Sequence, residues 1–276
     1  MLADKQGHKT VSNIPEGNPY FELKATLQFF ISEKKWSNLE HSSRNMIAVY
    51  PDADFGWFTL GLALSRLGDY KAAILNLKKA IYLNPDLMSA DYQLGITNYR
   101  QQNYQQAIHH FEAAKMKGMD THYLYYNLGN AWYKEGKVDS AIKCYLRSLS
   151  ICPDFTPAAY GLFRIYFSNH DYQNAVASLR PVISDDKLPS YLLAQARLLY
   201  ENESETNFLK LRQALKLLNS AIDLDDNFAL AYYERAYVKA RLEDTIGFAQ
   251  DKAMAFQLNP DLRKGHTSSL FSSYYI

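Results

Sequence analysis

The sequence predicts an all-α solenoid of stacked helix hairpins, and three observations carry that prediction. Small residues recur on a 34-residue beat: Gly61, Gly95 and Gly129, each followed twelve positions later by Ala73, Ala107 or Ala141. Pro85 and Pro153 close two of the units on the same beat. A period of this length marks a supersecondary unit that cannot bury its apolar face alone and must stack on its neighbours. Within a unit the large residues fall 3, 4 and 7 apart, as in Trp57, Leu60 and Leu64, which places them on one helical face. Breakers fall where helices must stop: Gly68-Asp69 and Gly136-Lys137 inside units, and Asn84-Pro85-Asp86 at the end of one.

Taken in order, residues 1–18 read as a disordered leader. The unit 20–53 has Leu27 and Leu39 where its neighbours have glycine and alanine, so its helices sit further apart. Trp36 takes the aromatic place beside the turn, and Pro51 closes the unit in register. The units 54–87, 88–121 and 122–155 follow without a gap, each as two helices of about 13 residues, with small residues letting the two backbones approach. In 156–188, Phe163 faces Ala175, and Pro181 falls inside the second helix. An interior proline removes a hydrogen bond and clashes with the preceding turn, so that helix should end or kink near Arg180. In 189–228, Ala196 at the small position turns Arg197 to the groove, and six extra residues fall around Glu201–Thr206. In 229–262, Ala236 faces Phe248, a swap of large and small that conserves volume. Residues 263–276 form a tail or a partial cap; capping is favoured, because Leu270, Phe271, Tyr274, Tyr275 and Ile276 suit an otherwise uncovered helix face.

This pattern resembles the tetratricopeptide repeat family, and the resemblance covers nearly the whole chain. It implies a right-handed superhelical solenoid of about seven helix-turn-helix repeats, with the first helix of each lining a concave groove. It further implies a non-enzymatic scaffold or adaptor that binds a peptide or helical segment of a partner protein there. Carried over by position, the groove residues are Tyr92, Ile96, Tyr99 and Arg100, then Tyr123, Tyr126, Asn130, Tyr133 and Lys134, then Tyr160, Arg164 and Phe167. Arg197, Tyr200, Tyr233, Tyr237 and Arg241 extend the row. Flat rings offer apolar area at small entropic cost, and the amide and cations suit a backbone or carboxylate. The carboxylate clamp of chaperone co-factors in this family is not matched. Lys24 stands at its first lysine, but Gln28, Thr59, Ser89 and Gln93 replace other members, and a frame from 122 puts Tyr126 at the lysine.

The remaining totals exclude other classes. Thirty basic against 29 acidic residues leave a formal charge of +1, which argues against nucleic acid as a partner, as does a 34- rather than 35-residue unit. No phosphate loop, dinucleotide signature, His-Glu-x-x-His helix or nucleophile elbow occurs, so no catalytic residue, cofactor or metal is expected. His109 and His110 point about 100° apart on a helix and do not readily chelate one ion; a zinc site that adds His122, twelve residues on, is the disfavoured alternative. Asp185-Asp186 and Asp225-Asp226 read as turn residues near helix starts. Asn202-Glu203-Ser204 is taken as a chance sequon, because no signal peptide is evident. Two cysteines, Cys144 and Cys152, read as reduced thiols. With no membrane-length apolar run, the expectation is a cytoplasmic protein without direct membrane insertion, or a periplasmic one if a leader has been removed. The alternative function is a targeting or assembly subunit of a larger complex, such as a secretion, pilus or glycosyltransferase machine, with catalysis on another chain.

Overall fold

A computed structural model describes residues 18–183, 188–200 and 207–264 of the 276-residue chain. Among them are fourteen α-helices and no strand. Helices α1 (Pro19–Ser32), α2 (Trp36–Val49), α3 (Asp54–Leu67), α4 (Tyr70–Leu83), α5 (Met88–Arg100), α6 (Tyr104–Met116) and α7 (His122–Lys134) come first. Then follow α8 (Val138–Ile151), α9 (Thr156–Ser168), α10 (Tyr172–Leu179), α11 (Pro189–Tyr200), α12 (Phe208–Leu224), α13 (Ala229–Arg241) and α14 (Thr245–Leu258), with a 3-10 turn at Pro260–Lys264. The chain divides into two compact units, Met1–Cys144 and Tyr145–Ile276.

Local chemistry explains the helix ends. Asn18, expected in the leader, instead caps α1: its side chain accepts a hydrogen bond from the Tyr20 amide at 2.9 Å, with Pro19 in the first turn. Asp69, Asp171 and Asp244 cap α4, α10 and α14 in the same way. The described turns between paired helices share one device, a left-handed residue. Gly68 and Gly136 supply it at φ 93° and 74°, while Lys34, Gln102, His170 and Glu243 adopt φ of 54–64° at the same place in the 34-residue frame. Helix α10 stops at Leu179 with Arg180 as its cap, just before Pro181.

In the first unit, each helix packs on its neighbours in sequence, and α5 also touches α3 and α7 directly. The glycines make the close contacts within hairpins. A methyl group added to Gly61 would lie 2.6 Å from Leu77 Cγ of α4, and one added to Gly95 would enter the Phe111 ring of α6. Ala73, Leu77, Ala107 and Phe111 are fully buried beside them. Leu27 and Leu39, in place of glycine and alanine, are also fully buried and share a core with Met46 and Ala63.

In the second unit, buried residues from Ala159 to Leu262 form one continuous core, with Phe163, Phe167, Tyr172, Leu193 and Leu218 among its largest members. Leu262, in the 3-10 turn, belongs to it. The six extra residues at 201–206, the Asp185-Asp186 pair and the tail beyond 264 lie outside the described residues.

Candidate functional site

In the first unit the candidate surface is built on α5 and α7. Tyr92 and Tyr99 are seven apart on α5, and Tyr126 and Tyr133 are seven apart on α7, so each pair lies on one helical face. The two helices are fastened by a hydrogen bond that Asn127 Nδ2 donates to Tyr92 Oη at 2.7 Å, between residues 35 apart. Burial is the main influence on Tyr92, pushing its phenol above the usual range, and the ring packs at 5.8 Å on Phe111. Tyr99 meets Tyr104 edge-on at 5.4 Å. Tyr123 is 55% exposed, with His122 lying 4.1 Å from its ring. Tyr126, Asn130 and Tyr133 are half-buried and Lys134 is exposed.

Arg100 has a structural duty that its sequence position did not reveal. Its Nη1 donates to the Ser65 carbonyl at 3.0 Å, in the last turn of α3. The carbonyls of a last helical turn have no partner within their own helix and carry the negative end of its dipole. The second unit repeats the device, where Arg241 Nη1 donates to the carbonyl of Tyr200, the last residue of α11, at 3.1 Å. Ser65 also hydrogen-bonds Thr97 at 2.9 Å, and Ser43 donates to Thr59 at 2.8 Å, all four hydroxyls being buried. These polar residues, like Asn127, were not singled out in the sequence. For Ser65–Thr97 and Tyr92–Asn127 the signal is a spacing of about one repeat between polar residues, 32 and 35 apart; Ser43 and Thr59, 16 apart, carry no such signal.

In the second unit the expected groove row separates into two environments. Tyr160 and Arg164 of α9 are half-buried. Phe167 is not a surface residue. At 1% exposure it packs within the core, 5.2 Å from Phe163 and 5.5 Å from Tyr172, because the turn into α10 folds Tyr172 back over it. Arg197, expected to face the groove, pairs instead with the buried Glu234 of α13 and lies 5.1 Å from the Tyr172 ring. Tyr200, placed in the same row, is buried and donates to Glu234 Oε2 at 2.6 Å. Burial alone would lower the Arg197 pKa; Glu234 outweighs it and holds the guanidinium charged. Tyr200 is pushed well above the usual phenol range by burial and by that carboxylate. Two charges and a phenol thus share one buried junction between α11 and α13, a packing role rather than a ligand site. Tyr237 is exposed and Tyr233 half-buried, facing Phe256 at 6.4 Å.

The described residues hold no group of three or more metal-ligating side chains. His110 Nδ1 lies 3.0 Å from Asp91 Oδ1, and Lys117 binds the other carboxylate oxygen. Cys144 and Cys152 are free thiols, and burial pushes Cys144 up to about 11, away from the reactive range. No described helix is long and apolar enough to cross a membrane.

Family models described as tetratricopeptide repeat match residues 122–155 and 56–87. A TPR repeat-containing protein of Methanocaldococcus jannaschii is 23% identical over 201 residues, which is 68% of this chain and 35% of that protein. This chain therefore spans about a third of the length of the curated relatives it matches. Among solved structures, the C-terminal part of a TPR repeat-containing protein from Cytophaga hutchinsonii superposes with a TM-score of 0.56 at 15% identity, over 75% of this chain and 80% of that one. PilF of Pseudomonas aeruginosa does so at 0.53 and 18% identity, over 76% and 93%. At these identities the likeness is one of fold.

Proposed function

This chain belongs to the tetratricopeptide repeat family, whose fold is that of a protein–protein interaction scaffold, and on that footing we propose that it is a non-enzymatic adaptor whose α5–α7 surface seats an extended or helical segment of a partner protein. The observation that carries this reading is the Asn127–Tyr92 hydrogen bond. It fastens α5, which carries Tyr92 and Tyr99, to α7, which carries Tyr126 and Tyr133 and the exposed Tyr123 and Lys134. Rings with polar tips bury apolar area while keeping a hydrogen-bonding group for a peptide backbone. Arg100 is pinned by Ser65 and holds its charge in a fixed place, which favours a segment that brings an acceptor to that edge. Tyr160 and Arg164 form a separate patch of the second unit. Free thiols at Cys144 and Cys152 accord with a reducing, cytoplasmic setting.

The test is Tyr126→Ala combined with Tyr133→Ala in the full chain. Affinity capture from an extract of the source cell should lose its bound partners, and the affinity for an identified partner should fall by about tenfold or more. Circular dichroism should report unchanged helix content. A variant that captures the same partners with the same affinity would falsify the α5–α7 assignment.

A further inference from the structure

The outer face of α1 differs from the same face of every later helix one, two, three or four 34-residue steps away. Phe29 is 51% exposed, whereas Ala63, Thr97 and Ala131 at that place are 0% exposed and Ile165 is 1%. Glu22 is exposed where Gly56, Ala90 and Leu124 are buried, and Ala25 is exposed where Thr59 is buried. In α3 this row packs on the preceding hairpin: a methyl on Gly56 would lie 3.1 Å from Ile47 of α2, and Thr59 bonds Ser43 of α2. On α1 the row is uncovered and carries the exposed Phe29; Phe21, at the place of the exposed Tyr123, borders the row and lies two helical turns from Phe29.

We propose that this face pairs α1 with α1 of a second copy, antiparallel, about a two-fold axis through Ala25. The spacing is self-complementary. Phe21 and Phe29 each lie four residues from Ala25, so the two-fold sets each ring of one copy against the other ring of its mate. The small side chain at the crossing allows close helix approach. The charges fit as well. Lys35 Nζ is held 5.2 Å from the Phe29 ring, where it meets Glu22 beside Phe21 of the second copy. Head-to-tail stacking of α1 on α14 is disfavoured, because α14 carries the exposed Lys252 where α12, 34 residues earlier, has the fully buried Leu218. That ammonium lies over the Phe248 ring at 5.0 Å, and burying it unpaired is costly. A face one 14-residue helix long, about 21 Å, buries less than about 1,200 Å2 in total, so the dimer is weak and concentration-dependent.

Sedimentation velocity of the full chain over a concentration series reads this directly. A reversible dimer is expected, with a dissociation constant of about 10–100 µM. Phe29→Glu should raise that constant about tenfold or more, and Glu22→Lys should raise it too. Glu22→Lys combined with Lys35→Glu should restore dimerisation, an outcome that a folding defect does not produce. Ala25→Cys under mild oxidation should form a covalent dimer that the parent protein, with Cys144 and Cys152 alone, does not form. A parent chain that stays monomeric up to about 1 mM overturns the proposal. So does a dimer indifferent to Phe29→Glu, a charge swap without rescue, or an Ala25→Cys protein that does not cross-link.

Discussion

Asp91 and Asp251 are nearly inaccessible carboxylates, each gripped from two sides. Asp91 meets His110 and Lys117, and Asp251 takes a fork from Arg235 with Lys239 at 2.9 Å. Burial alone would raise both pKa values, but the hydrogen bonds and charges outweigh it and hold both below the usual 3.8. A depressed folded-state value means stabilisation that is present above the unfolded pKa and lost as pH falls through the folded one. Urea unfolding should therefore show stability dropping between about pH 5 and about pH 2, with a shallower drop in Asp91→Asn because Asp251 remains. Equal slopes would remove the Asp91 cluster from the account. Neither cluster was legible in the sequence, since Asp91 and Lys117 stand 26 apart and read as surface charges. Gly61 and Gly95 were legible, because a side chain missing at a fixed interval implies a neighbour pressed close. Phe167 misled for the opposite reason: its repeat position belongs to the groove, but the ring of Tyr172 turns it inward.

Helix pairs could be read from the period because the small residues, prolines and cap-forming aspartates recur with it. The turns could be read only in part. Gly68 and Gly136 advertise a left-handed residue, whereas Gln102 occupies the same conformation at φ 63° without any sign in its side chain. Left-handed backbone costs a residue with Cβ about 1–2 kcal/mol that glycine escapes, less the greater entropy glycine loses on folding. Gln102→Gly should thus stabilise the protein by about 0.5–1 kcal/mol, seen as a higher urea midpoint at unchanged slope. Gly68→Ala should shift the midpoint the other way. If Gln102→Gly destabilises, the turn is held by side-chain contacts and not by backbone preference. The arginines that cap preceding helices belong to this scale too. Arg100 and Arg241 sit at places the family resemblance assigns to the groove, and only the fold brings a carbonyl of the previous first helix within their reach.

At the scale of the whole molecule, the two units differ in how their cores are divided. Most buried side chains of the second unit join into one large cluster that reaches from Ala159 to Leu262, whereas those of the first unit fall into several smaller ones. Repeat arrays are stabilised by nearest-neighbour contacts, so a divided core opens piecemeal and a continuous one opens cooperatively. The chain offers a convenient probe of this difference. All three tryptophans, Trp36, Trp57 and Trp132, lie in the first unit, while helices of both units contribute to circular dichroism. Tryptophan fluorescence therefore reports one unit and ellipticity reports the total. In a urea titration the fluorescence transition should come at lower denaturant and be broader than the ellipticity transition, a departure from two-state unfolding. Tyr172→Trp, which places a probe beside Phe167 and Arg197 in the continuous core, should add a second, later fluorescence step. Superimposed curves from all probes would mean that the chain unfolds as one cooperative block despite its divided core.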